Sequence, residues 1–435
     1  MEIHSKQPIR VLCAHVSEHV ERPVTVQGWV HSIRHLGQLA FVNVRDRSGI
    51  IQCVFERELT EMPLSLESVL SVSGIAALAP KAPGGMEIRA VSAHCMSAAA
   101  PLPFEVNKKT IGARLDTVLD HRVLSLRHPR LHATFRIQSA LAGAFRDYLC
   151  RRGFTQIFTP KIVAAGTEGG SNLFPVDYFG RQAYLAQSPQ FYKQMMVGAG
   201  YERVFEIAPV YRAEEHNTSR HLNEYVSLDV EMGFIQSEEE LMDLEQEMLR
   251  YMLEKVAAEC EAELALLGVD IRLPDDIPRI PVAEAQRIVE RKYGKTSPKG
   301  DLDPEGERLI CQHVAESGKA ALVFITRYPR EIRPMYAMPA PENGALTASF
   351  DLIFNGLEIT TGGQRIHDYE ELVSSIRGRG LDPEHFAGYL DVFRYGMPPH
   401  GGFAIGLERL TSRLLGQSNV REASAFPRDR TRLAP

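Results

Sequence analysis

The order of apolar and polar positions divides the chain into two regions of different period. Between Val24 and about Ser92, short runs (VTVQGWV, LAFVNVRD, IIQCVFE, VLSVSGIAAL and MEIRAVSA) alternate apolar with polar residues and are separated by glycine or proline turns. A two-residue period sends successive side chains to opposite faces of a strand, so these runs predict five half-buried strands. Five short strands in about seventy residues fit a small closed barrel of the OB type. Residues 97–103 (SAAAPLP) then have the composition of a linker, and the stretch after it sets Lys108, Lys109, Arg114, Arg122, Arg127 and Arg130 against Glu105, Asp116 and Asp120. A hinge with a basic surplus fits this stretch, as does an ordinary solvated face. The reading is a barrel over 1–104, a hinge over 105–130 and a larger domain over 131–435.

From residue 131 the period lengthens. LHATFRIQSALAGAFRDYLCRR (131–152) keeps its apolar positions at helical spacing, and Gly153 supplies a stop. Pro160 closes a short extended run, FTQIFTP. A second long helix is expected to start at Ser237, where Ser-x-x-Glu reads as a capping box, and to run to about Leu267. Helices mixed with strands give the larger domain an α+β character.

Composition narrows the partners without naming one. The 49 basic and 55 acidic residues leave a net charge of −6, so global basicity does not advertise nucleic acid, although a local patch can still bind it. The six cysteines stand far apart without C-x-x-C pairs or metal-ligand spacing, which fits reduced structural thiols. MEIHSKQPIR has no apolar signal core, and no run approaches the ~18 apolar residues of a membrane span. The expectation is a soluble, cytoplasmic protein with no membrane partner.

Candidate chemistry gathers between Gly166 and Arg409. In SFDLIFNGLEITTGGQR (349–365), Asn355-Gly356 between two β-rich runs signals a type I′ hairpin. A two-residue turn sets Phe354 opposite Leu357, Ile353 opposite Glu358 and Asp351 opposite Thr360, with Asp351 and Glu358 on one face. Two carboxylates sharing a face, with the Thr361 hydroxyl nearby, suit Mg²⁺ carried in with a nucleotide; a solvent-facing acidic strand fits the segment equally well. FEIAPVYRAEEHNTSRHLNEYVSLDVEM (205–232) flanks a polar loop with two β-like runs. The loop holds Arg212, Glu214, Glu215, His216, Arg220 and His221. A planar guanidinium at Arg212 can hold phosphate and carboxylate oxygens together, and Arg220 with His221 can reach outer phosphates; a salt-bridged surface loop is the other reading. GMPPHGGFAIGLERLTSRLL (396–415) is a glycine-rich strand leading into a helix near Gly406, with Arg409 in its first turn, a place where backbone comes close to a ligand. GTEGGSNLFPV (166–176) looks like a closing loop, and LAQSPQFYKQ (185–194) puts Gln190 and Lys193 near a strand end. The usual phosphate-binding glycine loops and the nucleophile elbow are absent from the sequence, so a different nucleotide fold is required.

Taken together and in order, these motifs resemble the class II aminoacyl-tRNA synthetases of the aspartate/asparagine/lysine subgroup, most closely the archaeal-type aspartyl enzymes, over the whole length. FTQIFTPKI is similar to motif 1, whose proline sits at a dimer interface; VYRAEEHNTSRH resembles motif 2, GGFAIGLERL resembles motif 3, and the tail FPRDRTRLAP is typical of the group. The run between motifs 2 and 3 is too short for the inserted domain of the larger bacterial enzymes. The resemblance implies an N-terminal five-stranded OB-fold anticodon-binding barrel and a catalytic domain built on an antiparallel sheet flanked by helices. It implies aspartate–tRNA ligation with ATP and Mg²⁺ by a homodimer.

Position by position, the resemblance implies that Arg212 bridges the α-phosphate and the amino-acid carboxylate. Glu214, Arg220 and His221 would engage ATP together with Ala213, Leu222, Gly406, Leu407 and Glu408, and Arg409 would stack on adenine. Glu358, assisted by Asp351 and Thr361, would hold Mg²⁺; relatives often carry serine in place of Thr361. Glu168 and Gln190 would receive the α-ammonium, with Asp229 behind them and Phe191 and Tyr192 beside the aspartate. Lys193 and Arg365 would clasp the β-carboxylate. Arg34, Phe41 and Gln52 match anticodon-contacting positions, though a bare Phe41 on a strand also reads as core. His31 and Pro83 stand where discriminating archaeal enzymes carry tryptophan and lysine, which implies relaxed reading of the third anticodon letter, charging of tRNA(Asp) and tRNA(Asn), and a tRNA-dependent amidotransferase acting downstream. Two other readings are an asparaginyl enzyme and a catalytically silent tRNA-binding relative. Lys193 and Glu168-Gly169-Gly170, where asparaginyl relatives read EGAGE, speak against the first; Arg212, Glu358 and Arg409 speak against the second.

Overall fold

The computed structural model describes residues 10–56, 64–164, 166, 172–215, 218–272 and 276–434, in two compact units, Met1–His128 and Pro129–Pro435. Glu168, Gly169, Gly170 and His216 therefore lie outside the described residues. Among the described residues, no helix is long and apolar enough to cross a membrane.

In the first unit, β1 (Pro23–Leu36), β2 (Leu39–Asp46), β3 (Gly49–Phe55), β4 (Val69–Leu78) and β5 (Met86–Ser97) form a closed barrel in the order β1-β2-β3-β5-β4. Antiparallel pairing of β4 with β1 closes it. The alternation expected from sequence fills its interior: Val24, Val26, Val42, Val44, Ile51, Cys53, Leu70, Val72 and Ile88 are all buried there. Gly28 is required where β1 crosses β2, because a Cβ at that position would lie 2.2 Å from the Arg45 carbonyl oxygen. The register of β1 against β2 slips between Val30 and Ser32, leaving His31 as an extra residue in a bulge. Two short helices, α1 (Leu115–Asp120) and α2 (Arg122–Ser125), complete this unit.

The second unit runs α3 (Pro129–Arg151), β6 (Thr155–Gln156), β7 (Ile162–Val163), β8 (Pro175–Tyr178), β9 (Arg181–Leu185), α4 (Gln190–Met196), β10 (Arg203–Tyr211), β11 (Glu224–Gly233), α5 (Glu239–Glu259) and α6 (Glu261–Leu267). It continues with β12 (Arg279–Pro281), α7 (Val282–Tyr293), α8 (Pro304–Glu316), β13 (Leu322–Thr326), β14 (Pro339–Ala340), β15 (Asn343–Thr347), β16 (Ser349–Phe354) and β17 (Leu357–Arg365). α9 (Tyr369–Gly378), α10 (Ala387–Arg394), β18 (His400–Gly406) and α11 (Leu407–Leu414) end it. Among the described residues, eight strands form the main sheet, ordered β12-β13-β16-β17-β18-β11-β10-β6, and all its central neighbours are antiparallel. Ile137, Leu141 and Phe145 of α3 and Met248 and Met252 of α5 pack on Phe205, Val230, Phe350 and Phe403 of this sheet. Burying these apolar stripes fixes the sheet's position and leaves its other strand positions to chemistry.

Three local expectations are corrected. The helix expected over 237–267 is two helices, because Cys260 leaves helical geometry at φ −125° and ψ 31°; the break keeps Cys260 and Leu264 in the same core as α5. Ser237 and Glu240 do not form a reciprocal box: Ser237 Oγ accepts the Glu239 N–H, and Glu240 Oε1 accepts the Gln236 N–H. Gln190 and Lys193 stand on helix α4 instead of near a strand end.

The hairpin turn is as expected, with Asn355 and Gly356 both at positive φ (46° and 76°). Its register is not. The ladder pairs Ile353 with Glu358, then Leu352 with Thr360, so Ile359 is bulged and Asp351 faces Thr361. Glu358 and Thr361 are three residues apart and would point to opposite faces of a regular strand; the bulge brings them together, with Thr361 Oγ1 donating to Glu358 Oε1 at 3.2 Å.

Candidate active site

One cavity of about 450 Å³ opens on the main sheet. Gln190, Lys193, Arg212, Glu214, Arg220, His221, Leu222, Asp229, Glu358, Thr361, Arg365, Gly406, Glu408 and Arg409 all line it, so residues spread over some 220 positions of sequence meet at one place. Ala213, Asp351 and Leu407 are not among its lining residues, and neither are Phe191, whose ring stacks on Tyr389 at 4.2 Å, and half-buried Tyr192.

At its deep end Lys193, only 2% exposed, donates from Nζ to Asp229 Oδ1 (3.1 Å) and lies 3.2 Å from Glu231 Oε2. Arg365 Nε donates to Glu231 Oε1 at 3.2 Å, and its Nη2 reaches the Gly402 carbonyl (2.9 Å) and Gln190 Oε1 (3.4 Å). Two cations therefore grip opposite oxygens of one carboxylate. Burial pushes the Glu231 carboxyl up, but Arg365, Lys193 and His400 outweigh it and hold the group below its ordinary range. Glycine is needed at 402, since a Cβ there would meet the Val230 carbonyl at 2.0 Å and Glu231 Oε2 at 2.3 Å. Glu231 did not emerge from sequence reasoning; the Asp229-x-Glu231 spacing, which puts two acids on one face of an otherwise apolar strand, is the signal that could have found it.

Nearer the mouth, the loop between β10 and β11 is held by its own backbone. The Arg212 N–H donates to the Asn223 carbonyl, and Asn223 Nδ2 donates to the carbonyls of Arg212 (2.7 Å) and Glu214 (3.1 Å). Arg212 lies with Cζ 5.8 Å from the Tyr225 ring centre, and His221 Nδ1 is 2.6 Å from Thr218 Oγ1. Arg220 pairs with Glu307 of α8, which sequence reasoning missed because 87 residues separate the two and nothing local marks the acid. The same Glu307 carboxylate accepts the Glu358 N–H at 3.1 Å, and burial lifts it to about 7 against the pull of Arg220. Arg409 Nη1 donates to the Glu358 carbonyl (3.0 Å) and approaches its Oε1 (3.4 Å). Glu408 accepts the Val226 N–H and is lifted by burial to about 7.

The hard-oxygen set beside the cavity is Glu358, Thr361 and Asp351. Asp351 Oδ2 accepts from Arg333 Nη2 at 2.7 Å while its Oδ1 is buried without a hydrogen-bond partner, and burial holds its carboxyl above the usual range. Among the described residues, no group of three or more His, Cys, Asp or Glu side chains could hold a metal ion by itself. The three oxygen donors suit Mg²⁺ that arrives with phosphates, a hard ion that keeps few protein ligands. Lys193, Arg212, Arg220, Arg333, Arg365, Arg379 and Arg409 outnumber the acids of the lining, so the cavity favours an anionic ligand although the chain is net acidic.

In the barrel unit, Arg34 and Phe41 are cross-strand partners, with the guanidinium 4.9 Å from the ring centre. Gln52 lies opposite Asn43 and donates to Glu87 (3.2 Å). His31 bonds Arg45, and Pro83 begins a short turn before β5.

Residues 114–430 match the family described as tRNA synthetases class II (D, K and N), and residues 24–94 match the OB-fold nucleic acid binding domain. The chain is 52% identical to the Aspartate--tRNA(Asp/Asn) ligase of Thermus thermophilus, covering 98% of this chain and 100% of that one. It is 45% identical to the Aspartate--tRNA(Asp) ligase of Pyrococcus abyssi, covering 95% and 96%. Among solved structures it is similar to asparaginyl-tRNA synthetase from Pyrococcus horikoshii complexed with asparaginyl-adenylate, with TM-score 0.91, 30% identity and 98% and 99% of the two chains covered. It is likewise similar to aspartyl tRNA synthetase from Entamoeba histolytica, with TM-score 0.88, 29% identity and 100% and 96% covered. The chain thus belongs to the class II tRNA synthetases of the D, K and N group, ligases that use ATP, and carries the group's OB-fold domain.

Proposed function

We propose that this enzyme activates L-aspartate with ATP and transfers it to tRNA(Asp) and also to tRNA(Asn). The observation that carries the reading is the pair of buried cations, Lys193 and Arg365, gripping one carboxylate at the deep end of a cavity whose mouth holds Arg212 and Arg409. Lys193 and Arg365 carry N–H donors and no acceptor, which suits the two oxygens of a β-carboxylate; the –NH₂ of a neutral amide turned to the same donors finds no acceptor on them. Glu168 and Gln190 receive the α-ammonium, and Asp229 steadies Lys193.

The chemistry needs no covalent enzyme intermediate. An oxygen of the aspartate α-carboxylate attacks the α-phosphorus in line, the bond to the β-phosphate oxygen breaks, and pyrophosphate leaves with the electron pair. Arg212 stabilises charge on the transferring phosphoryl group, Arg220 and His221 hold the outer phosphates, and Arg409 covers the adenine. The terminal ribose hydroxyl of tRNA then attacks the aspartyl carbonyl, forming the ester and releasing AMP. Glu358, Thr361 and Asp351 would hold Mg²⁺ arriving with the phosphates, and the ion would further neutralise phosphate charge.

Arg34, Phe41 and Gln52 take the anticodon on the barrel, and His31 with Pro83 gives the tolerance of two tRNAs. A tRNA-dependent amidotransferase then converts Asp-tRNA(Asn). The enzyme works in the cytoplasm as a homodimer, a reading supported by exposed Phe158 and Ile162 beside Pro160, and residues 105–130 serve as the hinge. Amino-acid-dependent ATP–pyrophosphate exchange tests the activation step: exchange with aspartate and none with asparagine is expected, and exchange with asparagine alone would overturn the assignment.

A further inference from the structure

Along β2, Phe41, Asn43 and Arg45 alternate with the core residues Ala40, Val42 and Val44, so the three stand on the outer face of the barrel, where Arg34 lies opposite Phe41 and Gln52 opposite Asn43. The bulge in β1 re-aims the His31 ring into the same row, where its Nδ1 lies 2.9 Å from Arg45 Nη1. Arg45 itself is fixed. It is 7% exposed, and its Nη2 donates to both oxygens of Glu67, at 3.0 and 2.8 Å; Glu67 is 3% exposed and is gripped again by Arg127 Nη1 at 3.2 Å.

This geometry decides the state of the ring. A guanidinium has five N–H groups and no acceptor, so His31 Nδ1 must be the accepting nitrogen. A neutral imidazole carries one hydrogen, and here it is on Nε2. The charged and titratable groups facing the ring are Arg45, Glu67 and His128; burial first and Arg45 second hold the His31 pKa below its ordinary value, which keeps the ring neutral.

We propose that Arg45 is a positioning residue for anticodon reading, holding His31 as a fixed Nε2–H donor for the O2 carbonyl of the third anticodon base. The proposal rests on the reading above that this face of the barrel takes the anticodon. Cytosine and uracil differ at position 4, an amino group against a carbonyl, but share an O2 acceptor. The anticodons of tRNA(Asp) and tRNA(Asn) end in these two bases, so a donor directed at O2 serves both.

Full-length protein with ¹⁵N-labelled histidine gives the direct test by long-range ¹H–¹⁵N NMR. At pH 7 the His31 Nδ1 signal, assigned with His31→Gln, is expected at the unprotonated shift and Nε2 at the protonated one; a protonated Nδ1 would overturn the proposal. In Arg45→Lys, which keeps a cation on Glu67 but loses the fixed guanidinium N–H that His31 Nδ1 accepts, the second tautomer should appear; an unchanged ring would remove Arg45 from the role. In charging assays His31→Glu, which has no donor, should raise the KM for both tRNAs about tenfold. His31→Gln, with an amide N–H near the Nε2 position, should recover most of that loss; equal behaviour of the two variants counts against the donor. A wild-type preference of more than tenfold for tRNA(Asn) would put the donor on the position 4 carbonyl and overturn the O2 assignment. If the wild type does not charge tRNA(Asn), the dual-tRNA reading fails, while the NMR result and the KM for tRNA(Asp) still judge Arg45.

Discussion

Two buried cations at the deep end of the cavity are balanced by two buried acids, Asp229 and Glu231, and that balance makes each of the four sensitive to loss of any other. Breaking such a set by removing one partner costs about 3–5 kcal/mol, because an uncompensated charge is left in the interior. Lys193→Ala leaves the acids in excess beside the place where the substrate carboxylate must sit. Aspartate-dependent pyrophosphate exchange should fall by at least about 100-fold, or its aspartate KM rise out of range, while filter binding of tRNA(Asp) stays near the parent value; equal loss of both would contradict the role given to Lys193. Of the residues singled out from sequence, those in short polar motifs on loops and strand ends were legible, since so many charges together need a ligand or a salt-bridge network to hold them. Glu231 and Glu307 were not, because their partners come from other strands and helices and no local spacing marks them.

At the scale of elements, the Asn355-Gly356 turn could be read because two adjacent residues with positive φ are a local demand that few other residues meet. The bulge at Ile359 could not be read, because it follows from how the strand packs: Ile359 is buried in the core beneath the sheet while Glu358 and Thr361 share the other side. The break at Cys260 is of the same kind, set by the need to keep Leu264 in that core. One buried acid tests this layer. Glu245 of α5 accepts the Thr360 hydroxyl at 2.6 Å, and burial lifts its carboxyl from 4.5 to about 8. In that window the folded chain keeps a proton that the unfolded chain releases, so stability falls as pH rises from about 4.5 to about 8, by up to ~1.4 kcal/mol per pH unit. Glu245→Gln keeps an oxygen for Thr360 and cannot ionise. Its melting temperature should gain on the parent's by several degrees between pH 5 and pH 8, at roughly 1–2 °C per kcal/mol for a chain of this size; parallel curves would show that Glu245 is ionised in the fold.

At the scale of the whole molecule, a net charge of −6 conceals a cavity whose lysines and arginines outnumber its acids, and this is why composition alone pointed to no partner. The barrel was legible because buried positions recur every second residue through much of β1, β2, β3 and β4. The order of the eight-stranded sheet was not, because β11 lies beside β18 and β17 beside both β16 and β18, contacts set by packing across the unit. The central claim, an aspartate-specific ligase that accepts two tRNAs, is tested most directly by ATP-dependent charging of tRNA(Asp) and tRNA(Asn) transcripts with labelled aspartate, in parallel and at one salt concentration. Comparable charging of both is the predicted result; charging of tRNA(Asp) alone would contradict the tolerance assigned to His31 and Pro83, and charging of neither would contradict the enzyme's proposed function altogether.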